Sequence, residues 1–258
     1  MTASWRALLD FAVEAAWEAG RITLRYFQMP IPEERKADQS PVTIADREAE
    51  AHLRRRIAER YPDHGIVGEE YGLTRPEAPF QWVLDPIDGT RSFLCGVPLY
   101  GVLVGLLHEG QPVLGVACFP ALQEIVYAAL GEGCRWNGRL VRVSRRDRLE
   151  EAVLLYTDPR GFEGPKKALL ERLRPRVRLE RSWGDCYGHI LVATGRADVM
   201  LDPAMHLWDS VALYPILHEA GGTFTDWEGR ATIQAGEAVS TNGLLLSALL
   251  EEYRFASP

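Results

Sequence analysis

The chain has 258 residues, of which 47% are hydrophobic and 25% charged, a composition typical of a globular protein with a substantial core. Its formal net charge of −7 disfavours non-specific binding to nucleic acid or to an anionic membrane, so neither partner is expected. No apolar run approaches the ~20 residues of a membrane-spanning helix, and the N-terminus lacks the pattern of a signal peptide. The four cysteines form no C-x-x-C pair, which disfavours a zinc site or a disulfide framework and favours a reducing compartment. We therefore expect a cytoplasmic protein.

The first 60 residues predict two helices joined by a polar segment. Apolar residues recur at helical spacing over residues 4–27, and a second helix is expected to follow Thr43 and to run to about Arg60. Thr43 and Asp46 fit a capping box at the start of that helix. The intervening residues 29–39 contain two prolines and are expected to form a loop or a short hairpin.

Two short apolar runs then end in acidic residues. Residues 65–67 predict a strand that leads into Glu69 and Glu70, and residues 82–84 predict a buried strand that ends at Asp85. Adjacent acidic residues at a strand end are usually solvated. If these two strands pair, however, Glu69 and Asp85 come together.

Residues 85–90, DPIDGT in one-letter code, contain the densest chemistry of the sequence. Pro86 fixes φ and has no N–H group, so we expect the chain to turn there and to bring Asp88 to the side of Asp85. The N–H groups from Gly89 onward can face an anion at the start of a helix. Two carboxylates beside such N–H groups suit hard divalent cations that hold a phosphate. The alternative is a tight turn whose aspartates cap the next helix.

The pattern changes along the rest of the chain. Short strands broken by turns, with an Asn-Gly hairpin signal at residues 137–138, predict an antiparallel sheet over 101–107, 112–118, 124–129 and 133–143. Strands and helices then alternate, with strands expected at 152–156, 198–201, 223–225 and 238–240 and helices at 165–173, 184–194, 207–220 and 243–253. The change predicts an N-terminal α+β half, residues 1–147, that carries the antiparallel sheet and metal motifs, and a C-terminal α/β half, residues 148–258.

A last acidic position precedes one of these helices. Asp209 follows Trp208 and lies in the first turn of a helical run that ends at Gly221 and Gly222. A carboxylate in a first helical turn is also explained as a partner of the helix dipole.

Taken together, the acidic segments resemble the three signatures of the inositol monophosphatase superfamily. The likeness runs from about residue 5 to 250 and rests on residues 68–70, 85–90 and 208–222, which occur in the family's order. The resemblance implies an α/β fold of mixed α+β type, a layered α/β/α/β/α sandwich as in inositol monophosphatase and fructose-1,6-bisphosphatase. It also implies Mg²⁺-dependent phosphomonoester hydrolysis with two or three Mg²⁺ ions per site, Li⁺ sensitivity and a homodimer.

Carried over by position, the resemblance assigns roles to individual residues. It implies metal binding by Glu69, Asp85, the Ile87 carbonyl, Asp88 and Asp209, with Glu70 holding water for a weaker ion. It further implies that Asp46 and Thr90 orient and deprotonate the attacking water, that the Gly89 and Thr90 N–H groups hold the phosphate, and that Lys36 lies near the metals. Water activated by metal then attacks phosphorus in line, without a covalent phosphoenzyme.

Other segments resemble the histidinol-phosphatase branch of the superfamily, namely residues 40–46, 62–70, 90–93 and 184–187. Asp185 and Asp202 would bind the ammonium and imidazole groups of histidinol phosphate. Arg181 and His206 are expected to line the same pocket. The alternative for Asp185 is a helix N-cap.

Residues 206–209, HLWD, are closer to the inositol-type signature, so several substrates stay open. The alternatives are inositol 1-phosphate, a broad range of sugar phosphates including fructose 1,6-bisphosphate, and, less favoured, a 3′-phosphoadenosine nucleotide. A metal-binding homologue without activity is disfavoured because every acidic position of the resemblance is present.

Overall fold

The computed structural model describes residues 5–36 and 41–256, and within them the chain forms two extended β-sheets, a small two-stranded sheet and seven α-helices. The helices are α1 (Trp5–Leu24), α2 (Ile44–Arg60), α3 (Thr90–Leu94), α4 (Gly164–Leu173), α5 (Asp185–Ala193), α6 (Leu207–Glu219) and α7 (Leu246–Ala256). The strands are β1 (Glu34–Arg35), β2 (Pro41–Val42), β3 (Gly65–Gly68), β4 (Gly72–Thr74), β5 (Phe80–Asp88), β6 (Gly101–His108), β7 (Gln111–Phe119), β8 (Glu124–Ala129), β9 (Gly133–Trp136), β10 (Arg139–Leu140), β11 (Val153–Tyr156), β12 (Leu179–Arg181), β13 (Val199–Asp202), β14 (Thr223–Thr225) and β15 (Ala238–Thr241).

The first sheet has eight strands in the order β10-β9-β8-β7-β6-β5-β3-β4. All of its pairs are antiparallel except β3 and β5, which run parallel with Gly68 opposite Leu84. The parallel pair puts the acidic ends of both strands at the same edge, as the sequence predicted for Glu69 and Asp85.

The second sheet has five strands in the order β12-β11-β13-β15-β14. β12, β11 and β13 are parallel, and β15 pairs antiparallel with both β13 and β14. The predicted boundary at residues 147 and 148 lies in the segment between β10 and β11, where the chain passes from the first sheet to the second. The division of the chain into these two halves stays a prediction.

Three hydrophobic clusters stack the elements into layers. One packs α1 and α2 on a face of the first sheet, through side chains such as Leu9, Leu53 and Val104. The second joins the opposite face of that sheet to α5, α6 and the second sheet, and the third covers the far face of the second sheet with α4 and α7. The layers are therefore α/β/α/β/α, and the predicted fold class is confirmed.

Several elements differ from the prediction. β5 does not end at residue 84 but continues through Pro86 to Asp88, so the expected turn at Pro86 is wrong. The strand tolerates a proline because its pairing with β6 shifts register between Asp85 and Asp88, an irregularity at which a ladder hydrogen bond is already lost. The reversal comes at Gly89, whose φ of +83° favours glycine. β4 and β12 were not predicted.

Two glycines set the approach of α6 to the first sheet. Gly105 on β6 and Gly115 on β7 are register partners, and α6 crosses directly above them. A Cβ at Gly115 would lie 1.9 Å from the Ala212 carbonyl oxygen, and one at Gly105 would lie 2.6 Å from Val211 Cγ1. The absence of both Cβ atoms therefore allows α6 to pack closely enough to present its first turn at the end of β5.

Within residues 5–36 and 41–256, none of the helices combines the length and the apolar character needed to cross a membrane. The four cysteines, of which Cys95 is exposed and the other three are buried, carry free thiols.

Candidate active site

Carboxylates from two distant segments converge where β5 ends and α6 begins. Asp85 and Asp88 come from β5, Asp209 comes from the first turn of α6, and each offers an oxygen within 4.8 Å of the others. Each also accepts one backbone N–H: Asp85 from Ile87 at 3.0 Å, Asp88 from Cys186 at 2.5 Å and Asp209 from His206 at 2.6 Å. These bonds fix the three carboxylates in orientation.

The cluster concentrates negative charge on one buried carboxylate, Asp85, and two half-buried ones, Asp88 and Asp209. Burial, reinforced by the neighbouring carboxylates, raises the pKa of Asp85 and of Asp88 well above the usual range. For the same reasons the pKa of Asp209 is raised to about 7. A set of oxygen donors whose charges repel one another is the set that a hard divalent cation such as Mg²⁺ prefers, so these residues fit the metal that the resemblance implies.

Glu69 and Glu70 lie beside this cluster and share one cation. Lys36 Nζ lies 2.7 Å from Glu69 Oε1 and 2.6 Å from Glu70 Oε1. Burial lowers the pKa of Lys36, but the two hydrogen-bonded glutamates outweigh that effect and raise it. The pKa of Glu70 is raised to about 7, chiefly by burial and against the effect of Lys36. The structure thus places Lys36 where the sequence predicted it, near the acidic residues.

Asp46 is fully buried at the start of α2 and forms the predicted capping box. Its Oδ2 accepts the Thr43 N–H at 2.8 Å and the Thr43 hydroxyl at 2.6 Å, while its buried Oδ1 has no hydrogen-bond partner among residues 5–36 and 41–256. Burial raises the pKa of Asp46 to about 6. A buried carboxylate with one free oxygen and a pKa near neutrality has the properties of a proton acceptor.

Thr90 begins α3, and its hydroxyl donates to the Ile87 carbonyl at 3.1 Å. In the part of the chain that the structure describes, Asp46 and Thr90 are therefore bonded to other partners and not to each other. The cavity of about 220 Å³ that borders Thr90 is also lined by Gly89 and by the acidic cluster. His206 lines this cavity too, with its ring stacked on Trp208 at a centroid distance of 4.8 Å.

Asp185 approaches the site from the start of α5. Its φ of +53° lies in the left-handed region, which Asp tolerates better than most residues. Burial raises the pKa of Asp185, and the charge of Asp202 adds to that effect. A Cβ at Gly89 would lie 3.1 Å from Asp185 Oδ2, so the glycine leaves room for this carboxylate beside the start of α3.

Asp202 ends β13 and is almost fully buried. Its Oδ2 lies 3.7 Å from Nε2 of His189, a fully buried side chain whose Nδ1 is hydrogen-bonded to the Ser240 hydroxyl at 2.7 Å. Asp185 and Asp202 both line a cavity of about 610 Å³ that reaches Asp88 and Asp209. The structure therefore brings both predicted substrate contacts to the acidic cluster.

Arg181 has a different position. It lies on β12, is exposed, and donates through Nη1 to the Glu180 carbonyl at 2.7 Å. Two other arginines, Arg91 and Arg160, line the cavities beside Asp185. Asp158 lines the same cavities and forms an ion pair with Arg160. The sequence reasoning missed these three residues. The position of Arg91, directly after the DPIDGT segment, was the available signal, whereas nothing local marks the short turn at Pro159–Gly161.

Comparisons with known proteins agree with this geometry. The model of the inositol monophosphatase family matches residues 4–257. A histidinol-phosphatase of Chlorobaculum parvum is 43% identical over 240 residues, 92% of this chain and 93% of that protein. An inositol-1-monophosphatase of Mesorhizobium japonicum is 32% identical over 253 residues, 95% of each chain.

The fold is also that of solved members. The structure of an inositol monophosphatase from Zymomonas mobilis superposes with a TM-score of 0.88 at 32% identity, covering 98% of this chain and 99% of that one. Sequence, fold and the acidic cluster lead to the same conclusion: the chain belongs to the inositol monophosphatase family of phosphatases.

Proposed function

We propose that this protein is a Mg²⁺-dependent phosphomonoesterase whose preferred substrate is histidinol phosphate. The observation that supports the hydrolytic chemistry is the convergence of the mutually repelling carboxylates of buried Asp85 and half-buried Asp88 and Asp209, beside a cavity that also borders Glu69 and the start of α3. Such a cluster is costly unless a cation neutralises it.

In this proposal each residue of the site has a separate role in hydrolysis. Glu69, Asp85, Asp88, Asp209 and the Ile87 carbonyl would hold Mg²⁺, which supplies Lewis-acid chemistry by acidifying water and neutralising phosphoryl oxygens. Asp46, with its free Oδ1 and a pKa near neutrality, accepts a proton from water. Thr90 helps to orient that water, and the N–H groups of Gly89 and Thr90 hold the phosphate. Glu70 and Lys36 balance charge at the edge of the cluster.

The choice of substrate rests on the acidic character of the cavity of about 610 Å³ that Asp185 and Asp202 line. Asp158, Asp185 and Asp202 line it in addition to the metal-site aspartates, against the two cations Arg91 and Arg160. Histidinol phosphate carries an ammonium group and an imidazole, and carboxylates bind both. An uncharged polyol gains much less from these charges. The 43% identity to a protein named histidinol-phosphatase supports the same choice.

Inositol 1-phosphate is the second candidate, and a range of sugar phosphates is a broader form of it. The stacked His206 and Trp208 ahead of Asp209 reproduce the inositol-type signature. Asp202 is able to accept hydrogen bonds from hydroxyl groups of a polyol as readily as from an ammonium group.

The test is phosphate release, with Mg²⁺, from histidinol phosphate, inositol 1-phosphate, fructose 1,6-bisphosphate and 3′-phosphoadenosine 5′-phosphate. We expect the highest kcat/KM for histidinol phosphate. Asp185→Asn should lower that value about tenfold or more while changing inositol 1-phosphate turnover little, because Asn keeps the shape and tolerates the left-handed backbone but removes the charge.

Equal loss on both substrates would exclude Asp185 as a specificity contact, and a preference for inositol 1-phosphate in the wild type would select the second candidate. Absence of Mg²⁺-dependent release from every member of the panel would refute the proposal. From family membership we also propose Li⁺ inhibition and a homodimer, which Li⁺ titration and light scattering of the same preparation would test.

A further inference from the structure

Glu50 is a fully buried carboxylate on α2, and it binds the chain segment that carries the two glutamates of the site. Its Oε2 accepts the N–H of Glu70 at 2.7 Å, and its Oε1 accepts the N–H of Tyr71 at 3.2 Å. Arg54, one helical turn further on, donates through Nε to Glu50 Oε1 at 2.7 Å. The buried charge is thus both paired and hydrogen-bonded, as burial requires.

Arg54 extends this contact along the same segment. Its Nη2 donates to the Gly72 carbonyl, and its Nη1 donates to the Thr74 hydroxyl at 3.0 Å. Glu50 and Arg54 together therefore attach α2 to the turn between β3 and β4.

The turn is held from its other side by β5. The N–H of Glu69 donates to the Leu84 carbonyl at 3.2 Å, so three successive N–H groups, those of residues 69 to 71, bind acceptors on β5 or on Glu50. Gly68 leaves the space that this requires, since a Cβ there would lie 1.9 Å from Glu50 Oε1. The backbone under Glu69 and Glu70 has little freedom as a result.

We propose that Glu50 is a positioning residue for the metal site: it fixes the turn from which Glu69 and Glu70 project and so sets the affinity for the divalent cation. The inference rests on the proposed metal role of Glu69. Glu50 acts as a carboxylate, because its three partners in the described part of the chain, the Glu70 and Tyr71 N–H groups and the Arg54 guanidinium, are donors. The amide of an isosteric Gln would turn an NH₂ group toward one of them, leaving a buried N–H without an acceptor.

The test is calorimetric titration of Mn²⁺, with the metal alone, into the metal-free full-length protein. We expect Glu50→Gln to bind Mn²⁺ roughly 10- to 100-fold more weakly than the wild type, the loss typical of changes to groups that orient metal ligands. In phosphate release, the Mg²⁺ concentration for half-maximal rate should rise by a similar factor, while kcat at saturating Mg²⁺ stays within a few-fold.

Glu18→Gln is the matched control. Glu18 lies on α1 and pairs with Arg56 and His52 of α2, so the variant also removes a carboxylate that joins elements of the same layer. It should lower the melting temperature and leave the Mn²⁺ affinity at the wild-type value. A merely structural role for Glu50 predicts that the two variants behave alike.

A second variant perturbs the contact between Glu50 and the turn by a change in the turn itself. Gly68→Ala leaves Glu50 in place but directs a methyl group at its carboxylate, and it should weaken Mn²⁺ binding even if Glu50→Gln does not fold. Wild-type Mn²⁺ affinity in either variant, or equal weakening in Glu18→Gln, would overturn the inference. Wild-type protein that binds no Mn²⁺ would remove the proposed metal site itself, and the role of Glu50 with it.

Discussion

Each aspartate of the acidic cluster is oriented by a backbone N–H group from a different part of the chain. Ile87 donates to Asp85 from within the same strand, His206 to Asp209 from the helix cap, and Cys186 to Asp88 across 98 positions of sequence. At the residue scale the site is therefore an arrangement of like charges held against their own repulsion. As a consequence, the folded protein is expected to be less stable without a bound cation than with one, a common cost of function.

This repulsion makes the metal-free protein sensitive to pH. The pKa values of Asp209 and Glu70 are raised to about 7 and that of Asp46 to about 6, so the folded protein keeps protons that the unfolded chain releases. Their contribution to stability is complete below about pH 4 and is lost as the pH rises through about 6 to 7. The melting temperature in EDTA should therefore fall between pH 5.5 and 8, and Mg²⁺ should reverse the fall.

Asp88→Asn, which removes one charge, should raise the metal-free melting temperature at pH 8 yet lower phosphate release by more than ~100-fold.

Asp10→Asn is the control for charge alone, because Asp10 is exposed on α1 and forms an ion pair with Arg6 one turn away. It should change neither the pH dependence of melting nor the activity. A melting temperature of the metal-free wild type that rises from pH 5.5 to 8, or turnover by Asp88→Asn near that of the wild type, would contradict the assigned cluster.

The convergence of the acidic residues was predictable, but their electrostatics were not. Asp88 lies in a recognisable segment of the sequence, whereas its bond to the Cys186 N–H depends on how α5 packs against β5. Glu50 shows the same limit. It reads as an ordinary polar position of α2, and only the packing of α2 on the turn after β3 reveals its partners.

At the scale of elements, the position of Asp209 depends on how closely α6 lies on the first sheet. Ala212, one turn after Asp209, sits over Gly115, and Val211 sits over Gly105. Gly221 at φ +85° ends the helix, with its N–H bonded to the His218 carbonyl at 2.9 Å, as the Gly-Gly pair predicted. Gly105 of β6 and Gly115 of β7 thus influence the position of Asp209, because they allow α6 to pack closely on the first sheet.

Gly115→Ala should therefore damage the site from a distance. The new Cβ meets the Ala212 backbone, which cannot rotate away, so α6 must shift and Asp209 with it. We expect a loss of about 1–3 kcal/mol in the free energy of unfolding, together with a fall in kcat/KM of up to ~100-fold, since displacements near 1 Å are costly in catalysis. Denaturant unfolding and steady-state kinetics measure the two effects.

Leu114→Ala provides the comparison, because Leu114 neighbours Gly115 on β7 but faces the layer of α1 and α2. It should destabilise the fold by about 2–5 kcal/mol through a cavity and leave kcat/KM nearly unchanged under conditions in which it is folded. If Gly115→Ala loses only stability, α6 does not control the position of Asp209.

The elements that were predicted well are those with strong periodicity or marked turns. The α1 pattern and the hairpin at residues 137–138 are of this kind, and Asn137 and Gly138 both adopt positive φ there. The sequence did not predict β4, because all three of its residues are exposed and no apolar pattern marks it. It did not predict β12, because its three residues show no alternation of apolar and polar side chains. The continuation of β5 through Pro86 depends on the register shift against β6, which is a property of the pairing rather than of the segment.

At the scale of the whole molecule, the acidic site lies where the two sheets share a helical layer. Asp85 and Asp88 belong to the first sheet, whereas Asp185 and Asp209 begin α5 and α6, the helices between the sheets. The cluster that surrounds these helices includes Phe119 of the first sheet together with side chains of the second sheet. Neither half of the sequence contains a complete site, and the N-terminal half covers only one face of its sheet, because α5 and α6 belong to the C-terminal half.

The predicted halves should therefore fold together and not separately. A fragment of residues 1–147 would expose the face of the first sheet that α5 and α6 cover, including Leu103, Ala117 and Phe119, all fully buried in the whole chain. We expect this fragment alone to be aggregation-prone and without a cooperative thermal transition, and co-expression with residues 148–258 to give a soluble complex. Differential scanning calorimetry and co-purification test this. A fragment that melts cooperatively on its own would show that the α1–α2 layer suffices for the first sheet. The boundary at 147 and 148 would then mark an independent domain, and the acidic site would lie at a domain interface and not within one core.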